Sequence, residues 1–177
     1  MSYQSSPQRS QFQGNRPAGD SSQTNDPQII NDETLKNIVV NGNAELMVKE
    51  ADRIGKLLVQ GGDSDKLSTS QIRAIFGEVR KIQGQIAIPE HTSDTESAQK
   101  NKERAFRRLY LLIPKMKYRV KKERGKPGIK RIVAILEPAV RLVMASDIGK
   151  QERDKRFGYF VEFFEAILAY HRAYGGK

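Results

Sequence analysis

Arg104-Ala105-Phe106-Arg107-Arg108-Leu109-Tyr110-Leu111-Leu112-Ile113-Pro114-Lys115-Met116-Lys117-Tyr118-Arg119-Val120-Lys121-Lys122 is the stretch on which the reading of this chain turns. At 100° per residue, Phe106, Leu109, Ile113, Met116 and Val120 fall within about 80° of one another. That is the buried stripe of a helix. Arg104, Arg108, Lys115, Tyr118, Arg119 and Lys122 centre on the opposite side, interrupted by Leu111. Lys115, Tyr118 and Lys122 stand at i, i+3 and i+7, so they stack along one line. Two ammonium groups flanking a phenol suit a polynucleotide, with cations on phosphates and the ring on a sugar or base. Pro114 lacks an amide donor and predicts either a kink or a fresh helix start near Ile113.

Four more helical patterns surround this one, which spans about residues 99–124. The first, about 44–60, carries Met47, Ala51, Ile54 and Leu58 on one stripe behind Asn43 as N-cap, and Gly61-Gly62 stops it. The second, about 69–83, opens with Ser68 and Gln71 as a capping box and continues through Ile72, Ile75, Phe76, Val79 and Ile82. Residues 84–98 read as a polar loop around Pro89. Gly125, Pro127 and Gly128 end the basic pattern. The next, about 129–146, holds Ile129, Ile132, Val133, Leu136, Val140 and Val143, with Pro138 expected to kink or split it. The last, about 151–174, is apolar on most of its surface, and such a helix is central in a bundle or covered by a partner. No stretch alternates with period two. The expected fold is therefore all-α, a compact bundle of about five helices. Residues 1–43 read as a disordered tail: Met1–Pro27 is Ser, Gln, Asn, Gly and Pro with almost no large apolar side chains. Ile29–Val40 has some apolar character and is expected to pack transiently at most. The folded domain is expected over residues 44–177.

The charge is as uneven as the hydropathy. Fourteen of the 31 Lys/Arg residues lie between Lys100 and Arg131, against only Glu103 and Glu123, and the rest of the chain is close to neutral. A field this concentrated calls for an anionic partner, and nucleic-acid phosphate is the commonest. A solvated helix face is the bland alternative. The turn around Gly125-Lys126-Pro127-Gly128 is basic and can mould to phosphates, but it lacks the Gly-Lys-Ser/Thr ending of a nucleotide-binding loop.

Other chemistries find little support. There is no Cys, so disulfides and thiolate-held metals are excluded, which fits a reducing compartment. No secretory h-region opens the chain and no apolar run approaches ~20 residues. A cytoplasmic protein without membrane contact is the expectation. His91 and His171 have no metal-ligand spacing around them. No carboxylate dyad or nucleophile elbow is visible. No catalytic residue, metal or cofactor is assigned.

Three segments together resemble one family, the small subunit of type III-A (Csm) CRISPR effector complexes. Ser68-Thr69-Ser70-Gln71-Ile72-Arg73-Ala74-Ile75-Phe76 is similar to that family's Thr-Ser-x-Leu/Ile-Arg helix opening. Pro114-Lys115-Met116-Lys117-Tyr118 resembles its Lys-x-x-Tyr segment, and Phe160–His171 its Phe-Glu-Ala-x-x-Ala-Tyr helix. The resemblance covers about residues 66–174. One departure stands out: where the family has small residues and then Arg after the Tyr, this chain has Arg119-Val120-Lys121-Lys122. Lys122 keeps the charge but not the bidentate fork.

The resemblance implies a five-helix bundle without catalytic activity, stacked in several copies beside RAMP-fold backbone subunits and lining the channel where guide (CRISPR) RNA pairs with target RNA. It leaves cleavage of target RNA to the backbone subunits, and DNA cleavage and cyclic-oligoadenylate synthesis to the large subunit, in antiviral defence. Arg73, Lys115, Tyr118, Arg119, Lys121 and Lys122 are the expected contacts to RNA backbone, with Arg104, Arg108 and Arg124 as further candidates. Contacts should be sequence-independent, because the target changes with each guide. The alternative is a helical adaptor whose basic face docks an acidic protein partner. For self-association, Phe163, Phe164 and Tyr170 read as core, and polar positions such as Glu162 and Glu165 as the better interface candidates.

Overall fold

The computed structural model describes Met1 and residues 29–87 and 95–176. Within them the chain forms seven helices and no strand: α1 (Asp32–Val39), α2 (Ala44–Leu58), α3 (Thr69–Ile86), α4 (Thr95–Tyr110), α5 (Leu112–Lys122), α6 (Pro127–Val143) and α7 (Lys150–Ala173). The all-α expectation holds; the helix count of about five is too low. Local chemistry accounts for the starts. Asn31 accepts from the Thr34 amide at 2.7 Å and Asn43 from Leu46 at 2.9 Å. Ser68 and Gln71 close the expected capping box reciprocally. Pro127 opens α6 at its first position, where no amide partner is needed.

The core is organised around α7. Phe157, Phe160, Val161, Phe163, Phe164 and Ile167 are buried, and α1, α2, α3 and α6 all pack on this one helix. Two edge-to-face ring pairs tie further elements to it, Phe76 of α3 on Phe164 at 5.2 Å and Phe106 of α4 on Phe157 at 5.7 Å. Such pairs add ~0.5–1.5 kcal/mol each beyond area burial. Phe163 and Phe164 are core as expected, and Tyr170 is half-buried against it. Where α2 crosses α7, a Cβ on Gly55 would sit 2.5 Å from that of Tyr170, so only glycine permits this approach. His171 is fully buried. Its Nε2 lies 2.8 Å from the Leu67 carbonyl, which can only accept, so Nε2 carries the proton.

Four expectations need correction. The tail does not extend to residue 43: Ile30, Leu35, Ile38 and Val39 are all buried, and α1 packs against α2, α6 and α7. An eight-residue helix is unstable alone, and this one exists because its apolar face is covered. Gly42, at φ +69°, turns the chain into α2 directly against the Tyr159 ring. Second, the basic pattern is two helices rather than one; of the two outcomes expected of Pro114, a kink or a fresh start near Ile113, the fresh start is the one that occurs. Pro114 cannot donate to the Tyr110 carbonyl one turn back, so the chain breaks at Leu111 and restarts with Pro114 in the first turn of α5. Third, Pro138 does not split α6, which continues to Val143. Fourth, both ends of the loop expected over 84–98 are helical, since α3 runs to Ile86 and α4 begins at Thr95; residues 88–94 lie outside the described residues. The disorder expected of Met1–Pro27 falls, beyond Met1 itself, outside the described residues, as does His91.

The placement of α1 makes a stability prediction. Ile38→Ala should cost about 2–5 kcal/mol in urea denaturation, the range for a buried large-to-small change. A chain beginning at residue 44 should be less stable than one beginning at residue 29. Equal stabilities would mean that α1 adds nothing to the core.

Candidate nucleic-acid interface

α3 forms one wall of a groove and α4 with α5 the other. At one end, Arg104 and Arg108 of α4 face Gln85 of α3 across a recess of about 300 Å³ that Asn101 also lines. In the middle, Arg108 meets Lys81, Glu78 and Lys115 around a second recess of about 340 Å³. At the far end, Lys115, Tyr118, Arg119 and Lys122 of α5 face Ala74, Ile75 and Glu78 around about 780 Å³. Arg108 belongs to the first two recesses and Lys115 to the last two, so the three form one continuous track. They adjoin one another from Arg104 of α4 to Lys122 of α5.

Helix periodicity builds this wall. In α5, Leu112, Ile113 and Met116 are buried, which turns Leu111, Lys115, Tyr118 and Lys122 outward at spacings of four, three and four. Tyr118 is 67 % exposed and Leu111 48 %, among the largest uncovered apolar side chains of the described residues. The groove is therefore amphipathic: cations at the rim, with apolar contact from Tyr118, Leu111, Pro114, Ile75 and Ala74.

Arg104, Arg108 and Lys122 have no carboxylate within ion-pair distance among the described residues. Two acids stand in the basic lining, Glu78 in the middle and Glu123 at the end; Glu78 faces the opposite wall. Its carboxylate is 3.1 Å from Lys81 and 3.8 Å from Lys115. The hydrogen bond from Lys81 holds its carboxyl below the ordinary glutamate range, against a smaller opposing effect of burial, with the charges of Lys81, Lys115 and Arg119 assisting.

Six of the nine residues singled out by sequence line this groove: Arg104, Arg108, Lys115, Tyr118, Arg119 and Lys122. Three do not. Arg73 is exposed but sits about 140° around α3 from Glu78, on the same side as Arg80, which pairs with Glu165 of α7 at 2.8 Å. Lys121 and Arg124 are exposed outside the lining, and Arg124 holds a left-handed backbone at φ +54°. Lys81 and Glu78 were missed. The signal was an i, i+3 charged pair on α3, a helix whose apolar stripe alone had been read.

Several cations of the basic segment are committed elsewhere. Arg131 donates to the Leu57 carbonyl at 3.1 Å and to Gln60 at 3.3 Å, closing the end of α2. Glu103 receives two hydrogen bonds from Arg153 of α7, at 2.8 and 3.1 Å. Lys117 reaches Glu137 of α6 at 3.0 Å, and Arg141 reaches the same oxygen at 2.8 Å. Burial acts to raise the Glu137 carboxyl, but these hydrogen bonds outweigh it and the net direction is down.

A carboxyl lowered on folding stabilises the fold above its unfolded pKa, and that contribution is lost as pH falls through the folded value. Glu137→Gln should therefore cost on the order of 1 kcal/mol at pH 7. The gap to wild type should close as pH drops below the ordinary 4.5. Thermal melts at pH 7 and pH 3 check this; a gap unchanged at pH 3 would show that the ion pairs are not its cause.

Among the described residues no cluster of three or more His, Asp and Glu stands in an arrangement that could hold a metal ion, and no helix is long and apolar enough to cross a membrane. The family model described as Csm2 Type III-A matches residues 41–177. No curated protein and no solved structure matches the chain.

Proposed function

The chain belongs to the Csm2 type III-A family, the small subunits of type III-A CRISPR complexes, and from that premise we propose that it is a non-catalytic subunit that holds RNA by its backbone. The observation that carries this is the continuous groove between α3 and α4–α5, with Arg104, Arg108, Lys115, Arg119 and Lys122 along it and Tyr118 beside them. Cations spaced along a track neutralise successive phosphates without reading bases. Tyr118 and Leu111 offer surface to whatever sugar or base turns toward them. A guide-programmed complex needs that sequence tolerance. Within it, the chain stacks in several copies beside the backbone subunits, near the guide–target pairing, and performs no cleavage itself.

Of the nine expected contacts, the six in the groove are the primary ones. Lys121 and Arg124 lie outside the lining, where they act on a strand leaving the groove. Arg73, exposed on the Arg80 side of α3, belongs to a different surface. The departure at Lys122 matters less for shape than the motif suggested, because the groove is wide there and a flexible ammonium reaches a phosphate as a point charge.

Lys115→Glu with Lys122→Glu should weaken binding of a single-stranded RNA by roughly tenfold or more at low salt, since two phosphate partners become repulsive. The helical circular dichroism signal should be unchanged. Undiminished affinity would overturn the assignment. Purification of the tagged chain from its host tests the assembly: discrete-length RNAs sharing one repeat-derived 5′ tag, arriving with larger subunits, are expected. A single stoichiometric acidic protein that persists after nuclease treatment would favour an adaptor instead.

A further inference from the structure

We propose that Glu78 is an internal counter-ion that a bound strand must displace, so that this one carboxylate sets how tightly the groove holds RNA; the inference rests on the RNA-binding reading above. Glu78 lies where the track is densest in charge. It is the acidic side chain shared by the middle and widest recesses. It engages Lys81 from its own helix at 3.1 Å and Lys115 from the opposite wall at 3.8 Å. Its side chain is 39 % exposed, so the carboxylate is within reach of solvent and of anything that enters the groove.

A carboxylate at this place does what a phosphate would do. Both are acceptors for the same two ammonium groups, and both carry negative charge. A phosphate seated on Lys115 with Glu78 still in place would stand a few ångströms from a like charge. Glu78 must therefore give up its partners as the strand enters. Little in the fold requires an acid here. A half-exposed pair of this kind contributes ~0–1 kcal/mol to stability, and of the other groove positions nearby on α3, Ala74, Ile75 and Ile82 are apolar and Lys81 is its own partner. Glu123, the other acid along the groove, is at its end and 3.9 Å from Lys126, which does not line it. The effect is to moderate affinity: a groove lined by cations alone would hold any RNA, and one with a built-in competitor favours strands that engage its whole length.

The test is fluorescence anisotropy of a labelled oligouridylate 20-mer titrated with the full chain, at about 50 and 200 mM salt. Glu78→Gln keeps the shape and an acceptor while removing the charge. Glu50→Gln is the control, since it removes the same charge from another i, i+3 pair, the one Glu50 makes with Arg53 on α2, away from the groove. Glu78→Gln should bind roughly five- to tenfold more tightly than wild type at the lower salt, with a log–log salt slope steeper by about 0.7, one further phosphate on a single strand. Glu50→Gln should stay within about twofold of wild type. If Glu78→Gln and Glu50→Gln bind alike while Lys115→Glu/Lys122→Glu has lost affinity, the counter-ion role is overturned and the RNA reading stands. If Lys115→Glu/Lys122→Glu binds as wild type does, both are overturned.

Discussion

Everything in this fold is arranged to cover α7. Four phenylalanines, at positions 157, 160, 163 and 164, point in enough directions that no single neighbour can bury them. Burying such side chains is worth ~1.5–3 kcal/mol each, far more than the surface ion pairs around them. The consequence is a layout: α2 crosses close at Gly55, α3 and α4 place Phe76 and Phe106 edge-on against Phe164 and Phe157, and α1 and α6 close what remains. Because α3 and α4 are both fixed to α7 through their inner faces, their outer faces must run side by side. The groove is the seam that this leaves. Its position follows from aromatic packing on the far side of each wall, and the basic residues decorate a channel whose course the core has set.

Charge in this protein divides accordingly into two groups. Where a cation meets a carboxylate across helices, as Arg153 meets Glu103 and Lys117 and Arg141 meet Glu137, it joins elements together. Arg153 also lies 4.0 Å from the centroid of the Phe106 ring, so its guanidinium reinforces the same α4–α7 contact that the ring pair makes. Arg104, Arg108 and Lys122 have no such partner among the described residues and line the groove, and Lys115 lines it while reaching Glu78. The net charge of the basic segment overstates its available field, because part of it is neutralised within the fold.

The sequence conveyed the core better than the surface, for a physical reason. Burial imposes a period, so the stripes of α2, α3, α6 and α7 could be read from spacing alone. So could the six groove residues on α4 and α5, because they oppose such a stripe. Arg73 shows the limit. It is exposed, basic and close in sequence to a recognisable motif, but exposure has no direction in sequence, and the structure turns it to the other flank of α3. Lys81 and Glu78 show the converse: nothing in a single helix says what stands across from it. α1 was misjudged because composition weighs a segment alone, whereas Ile30, Leu35, Ile38 and Val39 gain their stability from helices distant in sequence.

Pro114 joins these points to function. At 100° per residue the cations of α4 and α5 already share one side. The break at Leu111 interrupts the helix without scattering them. Arg104 and Arg108 before it and Lys115, Tyr118 and Lys122 after it line the same groove. The restart also leaves Leu111 and Pro114 themselves at the groove surface, an apolar step between two cationic stretches. A polyanion lying along the track meets phosphate partners on either side of that step and uncharged surface at it. This alternation suits a chain that is itself alternately charged at its phosphates and flat at its bases. It is a poorer match for a uniformly acidic protein face, which would leave the step uncovered.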